Sequence, residues 1–176
     1  MKVLSLTQPW ATLVVLGLKR IETRSWATSY RGELGIHAAK GLGPVGGMRG
    51  LLELLSTEPF WSVLREAFKV GALYPGDAET IANELPFGAI LGQVDLIDCV
   101  QTWPSWASVD PWFTGQRQGR QWHVPPPGPE RSFGDYTPGR FAWLLDEPRA
   151  LAEPIPCKGA LGLWNYAGEL PYVGLS

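Results

Sequence analysis

The chain has 176 residues, 45% of them hydrophobic with nine Trp, and a net charge of −2. That length buries a sizeable core in one domain without metal or disulfide help, and the aromatic content excludes a disordered chain. The 16 Pro and 21 Gly disfavour a helix bundle, and the weak charge excludes a strongly basic protein that coats duplex nucleic acid.

Met1-Lys2-Val3-Leu4 leads straight into a strand over residues 3–6. With no leader pattern, and no apolar run near the ~20 residues of a membrane helix, a soluble cytoplasmic protein without membrane contact is expected. Thr7 reads as a helix N-cap with Pro9 in the first turn. The helix over 8–16 is apolar nearly all round, hence buried, and Gly17 ends it. Residues 21–26 and 34–39 read as strands, and 41–47 as a glycine-rich loop. Residues 48–57 and 59–69 carry apolar stripes at helical spacing, broken at Pro59. A short helix follows at 77–84 and a long strand at 87–100.

Residues 102–139 hold Trp103, Trp106, Trp112 and Trp122, with Arg117, Arg120, Arg131 and the run VPPPGP. So long a connection without regular structure points to a functional segment, and its aromatics predict a lid or insertion packed on the body. Strands at 141–146, 150–156 and 161–166 complete the chain. Cys99 and Cys157 form no CxxC pair, and His37 and His123 are the two histidines. No metal and no cofactor are therefore expected, and the thiols read as free in a reducing compartment. The predicted class is α+β, mainly β: a small, mostly antiparallel barrel with flanking helices and a long Trp/Pro-rich insertion.

The charge is uneven. Residues 1–40 hold six Lys/Arg against two Asp/Glu, which fits a positive cleft on a mildly acidic surface. Four of these charges fall within the stretch GLKRIETRSW, between an apolar helix and a strand. Alternate strand residues share a face, so Glu22 and Arg24 point the same way, and Lys19 at the preceding turn approaches them. Ile21, Thr23 and Ser25 point away. Inside a pocket such charges must be paired, and Arg24 then offers a planar fork to a phosphate or carbonyl. The alternative is an exposed strand face with a solvated ion pair. Gln8 and Trp10 sit at a helix N-terminus beside the first strand, where free N–H groups meet an anion or carbonyl. Trp26, Tyr30 and the tryptophans of the insertion are candidates for stacking on bases. Arg31 extends the positive surface. His37, on a neighbouring strand, is open to either a core or a ligand-binding role.

The segments LSLTQPWATLVVLGLKRIETRSW, YRGELGIHAAK, GAILGQVDLIDC and KGALGLWNY resemble the ASCH (activating signal cointegrator homology) domain of the PUA-like superfamily. The signature G-x-K-x-x-E-x-R is matched by Gly17, Lys19, Glu22 and Arg24, and the matches run from residue 3 to about 166. The resemblance implies one domain over 1–176, a barrel with a cleft lined by the signature, and binding of RNA, DNA or modified nucleosides. Some small relatives in the family are amidohydrolases that deacylate the exocyclic nitrogen of cytidine through a lysine, a threonine and a glutamate. Lys19 matches the lysine; Glu22 stands in the threonine's place, with Thr23 beside it. Catalytic roles for Lys19, Glu22 and Arg24 would then have Lys19 and Glu22 activate a water, with Arg24 or a backbone N–H holding the oxyanion. Asp95, Asp98 and Asp110 are candidates for a further carboxylate.

Two functions follow. The favoured one, because the mild net acidity suits a small ligand, is an amidohydrolase of N4-acylated cytidine-type nucleosides. The other is a non-catalytic module that binds RNA or single-stranded DNA, and a ribonuclease ranks below both because two histidines supply no clear acid–base pair. The hydrolase predicts a small closed pocket with Lys19 touching a carboxylate. The binding module predicts an open positive groove reaching Arg31, Lys40, Arg117 and Arg120. No protein partner is inferable from the residues.

Overall fold

The computed structural model describes residues 1–70, 77–102 and 113–171, with 113–117 as backbone alone. Trp103, Trp106, Asp110 and Trp112 lie outside the described residues. In chain order the elements are β1 (Lys2–Leu6), α1 (Trp10–Val15), β2 (Ile21–Arg24), β3 (Gly32–Ala38), α2 (Gly47–Leu55), α3 (Phe60–Phe68), α4 (Asp77–Glu84), β4 (Ala89–Gln101), β5 (Phe113–Arg117), β6 (Arg120–Val124), β7 (Phe141–Pro156) and β8 (Leu163–Asn165). No helix among them is long and apolar enough to cross a membrane.

Six strands form one sheet in the order β2-β7-β4-β3-β1-β8, and β5 pairs with β6 in a separate ribbon. The β1–β3 pair is parallel, with Ser5 opposite His37; the other pairs are antiparallel. The result is the expected mainly β, mixed fold, with the sheet as a half-barrel and helices at its flank. Its curvature has a local source. The long β4 and β7 slip register between Ile90 and Gly92, Gln93 and Asp95, and Leu96 and Asp98, and such bulges bend and twist a strand. At Gly92 a Cβ would lie 2.4 Å from the Arg149 carbonyl oxygen, so the close approach of β7 requires glycine there.

Three differences from the sequence reading have physical reasons. The strands expected at 141–146 and 150–156 are one strand, Phe141–Pro156. Pro148 lacks an N–H, but it falls where the register slips and no ladder bond is demanded of it. The helix expected over 8–16 is shorter, Trp10–Val15, and Thr7 does not cap it: Pro9 occupies the cap position with no side-chain bond. Gln8 does the work instead. Its Oε1 accepts the Thr12 N–H at 3.2 Å, and its Nε2 donates to Thr12 Oγ1 and to the Pro86 carbonyl, both at 2.8 Å.

Three apolar clusters hold the fold. The first lies under the sheet and joins Leu4, Leu6, Leu34, Ile36, Val94 and Trp143 to Ala11, Val14 and Val15 of α1. The second packs Leu51, Leu55, Phe60, Leu64 and Ile81 of the three outer helices against Leu13 of the same α1. The short helix is thus apolar all round because it is wedged between two cores. A third cluster ties Trp122, Val124 and Tyr136 to Ile21, Ala142 and Leu144, so the described part of 102–139 is packed on β2 and β7.

Gln8 is fully buried, and losing its amide orphans the Thr12 N–H and the Pro86 carbonyl. Gln8→Leu is expected to lower unfolding stability by about 1–3 kcal/mol, read from urea denaturation.

Candidate functional site

The turn from α1 into β2 sets the geometry. Gly17 adopts φ +73°, and the Leu18 and Lys19 N–H groups both donate to the Leu13 carbonyl, at 2.9 and 3.0 Å. This places Lys19 inward. Its side chain is fully buried, its Nζ donates to the Ile21 carbonyl at 2.5 Å, and Glu22 Oε2 lies 3.4 Å away. The other carboxylate oxygen, Oε1, is 3.4 Å from Arg24 NH1. Arg24 in turn sits with its guanidinium carbon 5.8 Å from the Trp26 ring centre. The strand period of two thus sets Glu22 beside Arg24 and the turn brings in Lys19, so Glu22, 9% exposed at its side chain, stands between two cations.

Glu22 and Arg24 open onto a cavity of about 480 Å³. Leu6, Thr7, Trp10 and Pro44 form one side, and Ser132, Phe133, Gly134, Asp135 and Arg140 form the other. Lys19 does not line it; the ammonium lies behind Glu22. Thr23, expected to turn away, lines the cavity too and ties its far wall. Its Oγ1 accepts the Asp135 N–H at 3.0 Å and its carbonyl accepts Arg140 NH2 at 3.2 Å. Arg140 Nε is 3.3 Å from Asp135 Oδ2. The Thr137 N–H, donated to Asp135, holds that carboxyl below the usual carboxylate range, with Arg140 adding to the effect.

A second carboxylate lies next to Lys19, and the sequence did not point to it. Glu130 Oε1 accepts the N–H groups of Arg20 and of Ile21, the latter at 2.8 Å. Burial pushes its carboxyl up, against the pull of those N–H groups and of Lys19. Tyr136 is buried beside the cluster. Burial, then the charges of Glu130 and Glu22, push its hydroxyl up, and the oxygen has no hydrogen-bond partner among the described residues. The carboxylates considered from sequence are engaged elsewhere: Asp95 pairs with Arg149 at 2.6 Å and Asp98 with Arg31 at 2.8 Å.

The other candidates divide. Trp10 lines the cavity and meets Phe60 edge-on at 6.0 Å. Trp26 packs edge-on against Trp143 at 4.7 Å. Gln8 is consumed by the cap described above. Tyr30 donates to the Glu33 carbonyl, and Arg31 donates to the Thr28 and Tyr30 carbonyls; neither lines the cavity. His37 faces a separate cavity of about 710 Å³. Its Nε2 donates to the Cys157 carbonyl at 3.2 Å, its Nδ1 lies 3.1 Å from Ser5 Oγ, and burial pulls its pKa down.

Chemically, the main cavity presents a nearly buried carboxylate at its floor and a guanidinium on each side. The carboxylate accepts N–H donors, the guanidinium groups take an anion or carbonyl, and Trp10 and Phe133 supply apolar wall. Removing Lys19 leaves Glu22 charged, buried and short of its main partner. Lys19→Ala is expected to cost about 3–5 kcal/mol of stability, whereas the double change Lys19→Met with Glu22→Leu is expected to cost less, about 1–3 kcal/mol, because no Glu22 charge is left unpaired but the Ile21 carbonyl loses its donor; chemical denaturation of both distinguishes a paired charge from a simple packing defect.

Comparison with known proteins places this chain in a family. The ASCH domain model matches residues 4–124, which include the Lys19–Glu22–Arg24 signature. Two curated relatives are both named activating signal cointegrator 1: the Homo sapiens protein is 32% identical and the Mus musculus protein 42% identical over 167 residues. Each alignment covers 95% of this chain and 22% of the relative, so the chain spans about a fifth of their length. Among solved structures, a mutant of the ZmASCH protein from Zymomonas mobilis is similar with a TM-score of 0.42 and 18% identity, covering 88% of this chain and 74% of that one. The family model covers well over half of the residues, signature included, and the chain belongs to the ASCH domain family.

Proposed function

We propose that this chain recognises a single nucleobase, presented by single-stranded RNA or DNA, in the cavity above Glu22. The observation that carries this reading is the Glu22 carboxylate, fixed by Lys19 and Arg24 at 3.4 Å each and directed into a cavity of about 480 Å³. A carboxylate accepts the exocyclic and ring N–H donors of a base edge, and those donors are free in single strands and hidden by pairing in a duplex. The cavity lies within the ligand-pocket range of about 300–1,000 Å³. Arg24 and Arg140 at its sides suit the phosphates that accompany the base. Membership of the ASCH family supports the same reading. Residues 132–135, from the described part of the expected insertion, then supply one wall of the cavity.

Binding of labelled single-stranded oligonucleotides, followed by fluorescence anisotropy, tests this. Glu22→Gln is expected to weaken binding of the preferred base by about 1–3 kcal/mol. Arg24→Gln is expected to weaken all sequences alike and to flatten the salt dependence by about 0.7 in log–log slope. Unchanged affinity in a folded Glu22→Gln protein overturns the proposal.

A second reading, hydrolysis of an N4-acylated cytidine-type nucleoside, draws on the same Lys19–Glu22 contact in a cavity sized for one nucleoside. It is the weaker of the two, because the Lys19 ammonium points to the Ile21 carbonyl behind the floor and leaves Glu22 alone to reach a water. Incubation with N4-acetylcytidine decides between them. Release of cytidine and acetate that disappears in Glu22→Gln establishes a hydrolase; no turnover by the folded protein leaves the binding module.

A further inference from the structure

We infer that the second cavity, at the far side of the β1 and β3 strand ends, is a subsite for the nucleotide next to the recognised base. The inference rests on the single-strand reading above and extends it from one base to a path along the polymer.

The two cavities meet the same end of β1 from its two faces, since consecutive strand residues point to opposite sides. Leu6 lines the first and its neighbour Ser5 lines the second. The parallel pairing of β1 with β3 sends both chains out at this end, and the Ala39 N–H donates to the Leu6 carbonyl at 2.8 Å. Lys40 follows directly. The backbone at these strand ends is already hydrogen-bonded, so the proposed path of a strand from the first cavity to the second runs over the strand ends and demands no new secondary structure.

Charge favours a polyanion there. Most arginines of the described chain are spent on carboxylates, including Arg20, Arg24, Arg31, Arg49, Arg120, Arg140 and Arg149. Lys40 and Lys158, which both line the second cavity, have no ion-pair partner among the described residues, and both are exposed. On a chain of net charge −2, two unpaired ammonium groups at one cavity mouth make a local positive potential that attracts phosphates. Lys2 and Lys69 are also unpaired, but they stand at the opposite end of β1 and at the end of α3.

The walls suit a nucleotide more than a bare anion. Pro156 and Leu161 contribute apolar surface, and Leu161 is 100% exposed. A ribose or base face covers such surface, and a free phosphate does not. The floor is structurally closed. Ser5 Oγ accepts the Trp164 indole N–H at 3.1 Å and lies 3.0 Å from the Ala160 carbonyl, while His37 holds the Cys157 carbonyl. It therefore supports a contact surface and leaves the base-specific donors and acceptors to the first cavity.

The test uses the full chain and a labelled single-stranded oligonucleotide of mixed sequence, titrated across a range of salt. Lys40→Gln with Lys158→Gln is expected to lower the log–log salt slope by about 1.4, since each single-strand phosphate contact contributes about 0.7. The same pair is expected to leave binding of a free mononucleotide unchanged, because that ligand occupies the first cavity. Lys2→Gln with Lys69→Gln removes equal charge elsewhere and is expected to leave the oligonucleotide slope unaltered. Should the wild-type protein bind the oligonucleotide while the Lys40/Lys158 pair changes nothing, or changes no more than the control pair, the subsite is overturned and the single-base reading stands. Should the folded wild-type protein bind no oligonucleotide, both are overturned.

Discussion

The buried Lys19–Glu22 pair is the constraint on which the rest of the site depends. Two charges removed from water must be matched closely, because their desolvation offsets most of their attraction. The match comes from three places: Glu22 itself, the Ile21 carbonyl, and Glu130, whose carboxylate lies close enough to feel the Lys19 charge. Each depends on the exact course of residues 19–22. β2 is an end strand of the sheet, held by β7 on one side. Glu130 takes the N–H groups of Arg20 and Ile21, which would otherwise be left over at such an edge. The same carboxylate thus closes a sheet edge and supports the buried cation. The cost of placing charge in a core is met by making that charge part of the backbone's own hydrogen bonding.

This explains why part of the site is legible in the sequence and part is not. Glu22 and Arg24 are two residues apart on β2, where strand periodicity puts them on one side, and the turn at Gly17 just before the strand brings Lys19 to them. The far wall has no such signal. Asp135 meets Thr23 across 112 residues, and Glu130 meets Ile21 across 109. No local pattern links these segments; the link is the packing of Trp122, Val124 and Tyr136 on Ile21 and β7. Trp122, one of the tryptophans from which the sequence predicts a segment packed on the body, does pack there, but nothing in the sequence says against which strands. Gln8 shows the converse. A polar side chain next to a helix start resembles a ligand donor, yet burial turns it into a cap, because a shortened helix wedged between two cores has backbone groups that water cannot reach. The segments 141–146 and 150–156 read as two strands in the sequence; they are one in the structure because the register slip around Pro148 lets the chain run on through it.

Topology then decides where ligands can sit. β1 and β3 are the parallel pair in an otherwise antiparallel sheet, so their C-terminal ends leave the sheet together. The turn into α1 follows one and the glycine-rich loop follows the other, and both cavities open there. The short α1 also keeps this end open, since its apolar surface faces inward to both cores and little of it spreads over the rim.

The charge arrangement in the main cavity bears on what it selects. Arg24 already has Glu22 as partner and Arg140 has Asp135, at 3.4 and 3.3 Å. A ligand that brings only negative charge must compete with these carboxylates for the guanidinium groups and gains little from the exchange. A ligand with N–H donors engages Glu22 directly, weakens its hold on Arg24, and leaves that guanidinium to a phosphate. Donor and anion therefore reinforce each other when carried by one molecule. A site of balanced charge built this way discriminates by the combination of base edge and phosphate, which a simple basic patch, answering to charge alone, does not do.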